Sequence, residues 1–193
     1  MSTLTRRLAV ATSLLALAGT AAAHTGHDMH GFLAGIEHPF GLDHLLAMVA
    51  VGVWSAAAFQ GARRWLGPLA FLAAMSLGAW FGATGFALPF VETGIAASVL
   101  LLGVMLLFAR QLPPALGLLL IAASASLHGL AHGSETPAGV GLASYAAGFL
   151  LTTALLHIGG LGLGMRFELA RPVLWRVAGS LLAGAGLVML AHA

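Results

Sequence analysis

Two short stretches gather the groups that could do chemistry in this chain. In "HPFGLDH", His38, Asp43 and His44 fall within seven residues at the head of an apolar run, and in "LHGLAHGSE", His128 and His132 stand four apart with Glu135 three residues further on. Imidazole nitrogens and carboxylate oxygens share one obvious use, the binding of a cation. His128 and His132, at i and i+4, project from one helix face and could hold one ion between them. Asp43 and His44 are neighbours about 100° apart on a helix and cannot face one point unless the backbone is locally irregular. Pro39 and Gly41 make irregularity expected there: proline suits a first helical position, and glycine lets another helix or an ion come close to the backbone. Ionisable groups inside apolar runs are costly unless paired, hydrated or bound to a cation. A metal ion would satisfy all of them together. Glu92, at the outer end of another apolar run, joins the set by position alone.

The ligand types narrow the ion without choosing it. There is no cysteine, which excludes disulfides, thiolate metal sites and iron–sulfur clusters. Neutral imidazole suits Zn, Cu, Fe and Ni, whereas carboxylate and water alone would suit Mg, Ca or Mn. A mixed nitrogen and oxygen set without thiolate fits Ni²⁺ or Co²⁺, ions that must be released again. All eight basic residues are arginines, so Schiff-base chemistry and the lysine of an ATP-binding loop are absent. Neither H-E-x-x-H nor G-x-S-x-G occurs, which argues against an intramembrane hydrolase, and the chain is not expected to be an enzyme. The alternative that the histidines leave open is a haem-binding transmembrane electron carrier, in which imidazoles of different helices clamp an iron. Plainer roles also fit individual residues: an interfacial helix cap for His38, solvated loop acids for Glu92 and Glu135, and a packing or exit-path role for His157 near the inner face. His24, His27 and His30 fit a loose metal-gathering tail or a plain exposed linker.

The elements that position these groups are membrane helices. With 60% hydrophobic residues, 7% charged residues and a mean hydropathy of +0.98, the 193-residue chain lacks the polar surface to cover a water-soluble globule. The N-terminus has a basic pair, Arg6 and Arg7, an apolar run and then Ala21-Ala22-Ala23, the order of a secretory signal peptide; cleavage after Ala23 is expected. Residues 24–37 then form a periplasmic His-rich tail, and residues 38–193 an all-α, polytopic domain of six transmembrane helices, at about 39–59, 66–88, 93–109, 114–132, 139–163 and 173–191. With the mature N-terminus outside, Arg63, Arg64, Arg110, Arg166, Arg171 and Arg176 all fall on the cytoplasmic side. Asp28, Glu37, Asp43, Glu92 and Glu135 gather at the outer face instead, with the histidines. A formal net charge of only +2 makes nucleic acid a poor partner. The expected partners are the lipid bilayer and the ion, and a homo-oligomer is compatible with the chain.

The pattern His38-x4-Asp43-His44 in a first mature span resembles the H-x4-D-H signature of nickel and cobalt permeases. "HPFGLDHLLAM" after a signal and a short His-rich tail, together with "LHGLAHGSE", is similar to the HupE/UreJ family of hydrogenase- and urease-associated nickel permeases. The resemblance covers nearly the whole mature chain, with sharp matches in these two segments. It implies a small permease of the bacterial inner membrane that admits Ni²⁺, or in some relatives Co²⁺, from the periplasm. No cofactor is implied, because the metal is cargo. Carried over residue by residue, it marks His38, Asp43 and His44 in the first motif and His128, His132 and Glu135 in the second.

Overall fold

The computed structural model describes residues 27–170 and 173–193, so the expected signal peptide and His24 lie outside the described residues. Among the described residues every regular element is a helix: α1 His27–Glu37, α2 Leu42–Ala58, α3 Leu66–Ala83, α4 Val91–Leu107, α5 Pro114–Ser134, α6 Leu142–Ala170 and α7 Val173–His192, with 3₁₀ turns at His38–Phe40 and Gly61–Trp65. Four of these stretches are long and apolar enough to cross a membrane: Gly61–Ala83, Pro114–Ser134, Leu142–Arg166 and Val173–His192. A fifth arises if α1 and α2, bent by 76° at their junction, count as one broken span. The expected run 93–109 becomes the 17-residue α4, about 25 Å long at 1.5 Å per residue and so short of a typical 30 Å hydrocarbon layer.

Where the sequence suggested an exposed tail, His27–Glu37 is helical and packs on α6. Gly31 and Gly35 make this contact, since a side chain at Gly35 would overlap the Tyr145 carbonyl. The Thr152 hydroxyl donates to the Ile36 carbonyl at 3.1 Å, satisfying an acceptor that the end of α1 leaves open. The ladder cannot run on, because Pro39 has no N–H to give. Gly41 is extended, with φ −52° and ψ 139°, and its carbonyl receives Leu45 N–H at 2.8 Å to start α2. His38 therefore caps nothing with its side chain; the residues before both helical segments, Glu37 and Gly41, make no side-chain cap bond.

The helices pair through small residues, as expected where lipid supplies no hydrophobic drive and close van der Waals contact must hold helices together. α2 and α6 run parallel, with Gly52 against the His157 carbonyl and Gly160 against the Val49 carbonyl. α3 and α5 also run parallel, with Gly78 and Gly82 facing the backbone of 126–134 and Gly129 and Gly133 facing Met75 and Ala79. α4 and α7 pair antiparallel through Gly103, Gly179 and Gly186. Of the glycine run in α6, Gly160 and Gly164 lie against α2, whereas Gly159 and Gly162 face open space. Leu69, Leu77, Trp80, Leu119, Leu155, Leu181 and Val188 are exposed, while His44, Ser98, His128, His132, Thr153 and His157 are buried. Apolar groups outside and polar groups within is the arrangement that lipid demands. The pairings bring the starts of α2, α4 and α6 and the ends of α3 and α5 to one end of the bundle, leaving Arg63, Arg64, Arg110 and Arg176 toward the other.

Candidate metal site

The break before α2 does what a straight helix could not. Continuous helix would set His38 and His44 about 9 Å apart along the axis; the bend brings their ring centroids to 5.6 Å, edge to face. His132, reaching in from the last turn of α5, lies 4.5 Å from the His38 ring and 4.9 Å from the His44 ring. One nitrogen from each of His38, His44 and His132 falls within 4.8 Å of the other two. Three nitrogens on one ion at about 2.1 Å in tetrahedral geometry stand about 3.4 Å apart. Closure by roughly an ångström would therefore suffice, within the reach of side-chain rotation.

Hydrogen bonds fix which nitrogens are free. His44 Nδ1 lies 2.8 Å from Asp43 Oδ1, which also receives the His44 backbone N–H at 2.8 Å. A carboxylate only accepts, so Nδ1 carries the hydrogen and the lone pair sits on Nε2, which is buried without a protein partner. This is the carboxylate–histidine arrangement that orients a metal ligand and raises its basicity. Asp43 thus addresses His44 rather than the point between the three rings. Both nitrogens of the fully buried His132 lack a hydrogen bond, and its ring stacks on Phe149 at 4.5 Å and 7°. Each such orphaned atom costs about 1–3 kcal/mol, and a bound cation would satisfy a lone pair among them.

The other expected residues take separate places. His128 does not share a point with His132. Its ring lies 4.7 Å from that of His44, and its Nε2 is 3.0 Å from Ser98 Oγ. The single Ser98 hydroxyl hydrogen goes to the Ile95 carbonyl at 2.7 Å, so His128 Nε2–H is the donor and the free lone pair is on Nδ1, also buried and unpartnered. Glu135, at the end of α5, is exposed and lies 3.4 Å from His38 Nε2. Glu92 is exposed in the first turn of α4, in the field of Glu135 and Asp43, apart from the three nitrogens. His30 is exposed on α1. His157 lies at the middle of α6, not near its inner end, because that helix continues to Ala170 instead of stopping at 163.

The sequence reading missed the residues that hold the imidazoles. Ser98 could have been found as a hydroxyl in the middle of an apolar run, which in lipid must find a partner. Phe149, Tyr145 and Phe71, with ring centroids 4.5, 5.8 and 5.9 Å from His132, His38 and His128, carried no signal, since an aromatic residue in a membrane helix is ordinary bulk.

A family model described as HupE / UreJ protein matches residues 12–189. Protein HupE of Rhizobium leguminosarum bv. viciae is 44% identical over 178 residues, covering 91% of this chain and 93% of its own length. No solved structure matches the chain. Nearly all of the sequence, both histidine segments included, falls within these matches, and the chain belongs to the HupE/UreJ family.

Proposed function

We propose that the protein is a permease that admits a late divalent transition-metal cation, Ni²⁺ foremost and Co²⁺ as the alternative, across the bacterial inner membrane. The observation that carries this reading is the convergence of three imidazole nitrogens, from two separate parts of the fold, within 4.8 Å at one end of an apolar bundle. Membership of a nickel and cobalt transport family supports it. The topology proposed has the cleaved N-terminus in the periplasm and six crossings: the broken α1–α2 pair, then α3 to α7, with the short α4 accommodated by local thinning of the bilayer. Arginines then lie on the cytoplasmic side and the imidazoles open outward.

In this arrangement Glu92 and Glu135 draw the cation toward the mouth, and His38, His44 and His132 replace part of its water shell. Asp43 holds His44 in the binding tautomer, and His128 stands next to His44 as the following donor. An inside-negative potential favours entry of a divalent ion by about 4.6 kcal/mol per 100 mV, enough for more than a thousandfold accumulation without a nucleotide. The haem-carrier alternative fits less well, because imidazole rings at 4.5–5.6 Å leave no room for a porphyrin plane between them. The test is Ni²⁺ uptake into proteoliposomes under a negative inside potential by the intact protein, His44→Ala and His132→Ala. Each variant is expected to lose at least tenfold at low Ni²⁺, and native-like uptake by both would overturn the reading.

A further inference from the structure

Beneath the outer cluster one more buried imidazole offers a free lone pair. His157 is 1% exposed, at the middle of α6. Its Nδ1 lies 2.6 Å from the Thr153 carbonyl oxygen, which can only accept, so Nδ1 carries the hydrogen. Nε2 holds the lone pair and is buried without a protein partner. A histidine needed only to fill space would be replaced by leucine without the cost, about 1–3 kcal/mol, of a buried unpaired nitrogen.

Its surroundings connect it to the entry site. The Phe71 ring lies 5.9 Å from His128 and 5.0 Å from His157, so one aromatic side chain touches both imidazoles. The Thr153 hydroxyl donates to Met48 Sδ at 3.2 Å, and Met48 is one helical turn beyond His44 on α2. Thioether and imidazole therefore flank the same turn of α6, both fully buried. The two backbones are held close at this level: a side chain at Gly52 would collide with the His157 carbonyl. We infer that His157 Nε2, with Met48 beside it, is a second and inner coordination station, which the Ni²⁺ or Co²⁺ ion occupies after passing Phe71 on its way from the outer cluster. Because Nε2 already carries the lone pair, binding there displaces no proton. Nitrogen and thioether donors suit late transition metals and give little to Mn²⁺, so this station also sharpens ion choice.

This inference rests on the permease reading, and its test separates the two. His157→Gln keeps similar bulk and an amide donor for the Thr153 carbonyl but loses the imidazole nitrogen. In proteoliposomes at saturating Ni²⁺ its flux is expected to fall at least tenfold, and its Ni²⁺-to-Mn²⁺ flux ratio several-fold, while Ni²⁺ binding to the purified protein at the outer cluster keeps a Kd within twofold of native. Flux within twofold of native, or equal loss for both ions, overturns the inner station. If the native protein carries no Ni²⁺, the permease reading itself fails. Should His157→Gln not accumulate, nickel-edge anomalous scattering from crystals of the native protein in saturating Ni²⁺ decides. A peak beside His157 Nε2 supports the station, and a peak at the outer cluster alone overturns it.

Discussion

Replacing Asp43 by asparagine tests whether its carboxylate acts through His44. The path from Asp43 to an ion on His44 runs across one hydrogen bond of 2.8 Å, the imidazole ring and a coordinate bond, about 7 Å in all. A unit negative charge at that distance attracts a divalent cation by about 5 kcal/mol at an effective dielectric of 20. Asp43 is only partly buried, so solvent at the mouth screens much of this. Partners of this kind are worth about 10- to 100-fold in metal affinity, or roughly 1.4–2.7 kcal/mol. The asparagine oxygen can still accept from His44 Nδ1–H and from its backbone N–H, so the loss isolates the charge. Asp43→Asn is therefore expected to raise the Ni²⁺ concentration for half-maximal uptake 10- to 100-fold, with a maximal rate near native. Asp43→Ala, which also orphans Nδ1–H, should be worse. The assay is initial Ni²⁺ uptake into proteoliposomes across a concentration series. Half-saturation within twofold of native for both variants would refute the argument.

Other consequences follow from the same geometry. Ser98→Ala removes the acceptor for His128 Nε2–H and leaves a buried donor unpaired, at a cost of about 1–3 kcal/mol; thermal unfolding in detergent should show a lower midpoint, and an unchanged one would contradict the tautomer assigned to His128. Gly129→Leu places a side chain against the Met75 carbonyl and forces α3 from α5, displacing both His128 and His132, whereas Gly159→Ala points into open space. Membrane abundance and uptake should collapse for the first and hold for the second. Protons compete with the cation for imidazole lone pairs, so lowering external pH from about 7.5 to about 4.5 should reduce uptake. A flat profile over that range would mean that these nitrogens do not limit entry.

How much of this was legible in the sequence depends on whether a feature is local. Helix positions came through because apolar runs and their Pro, Gly and Arg punctuation are local, and each expected run overlaps one observed helix. Its ends shift where capping decides: the second run, read to 88, stops at Ala83 in a turn, and the fifth, read to 163, continues through "MRFELA" to Ala170. The tail at 27–37 read as a linker because its mixed composition hides a glycine face that becomes useful only against α6. The pair His38 and His44 was readable as irregular from Pro39 and Gly41, but not the direction of the 76° bend, which the packing of α1 and α2 along α6 determines. The partner choice within the cluster was unreadable for the same reason. Spacing made His128 and His132 a pair, yet tertiary packing gives His132 to His38 and His44 and turns His128 toward Ser98.

That division of labour bears on how an ion could leave again. A site with carboxylates directly on the ion would hold it by full Coulomb attraction in a medium of low dielectric, and transport would stall at release. Here the three nitrogens within reach of one another belong to imidazoles, and the acids stand back from them: Asp43 behind His44, Glu135 beside His38 at 3.4 Å, and Glu92 in the first turn of α4. Charge would then act over distance, where it speeds arrival and is weakened by solvent, while short-range binding would fall to imidazoles, the ligand type that His128 repeats beside His44. Moving a carboxylate inward should reverse the balance. His132→Asp is expected to tighten Ni²⁺ binding to the purified protein while slowing steady uptake, and a variant that both binds more tightly and transports faster would show that release is not the step this geometry protects.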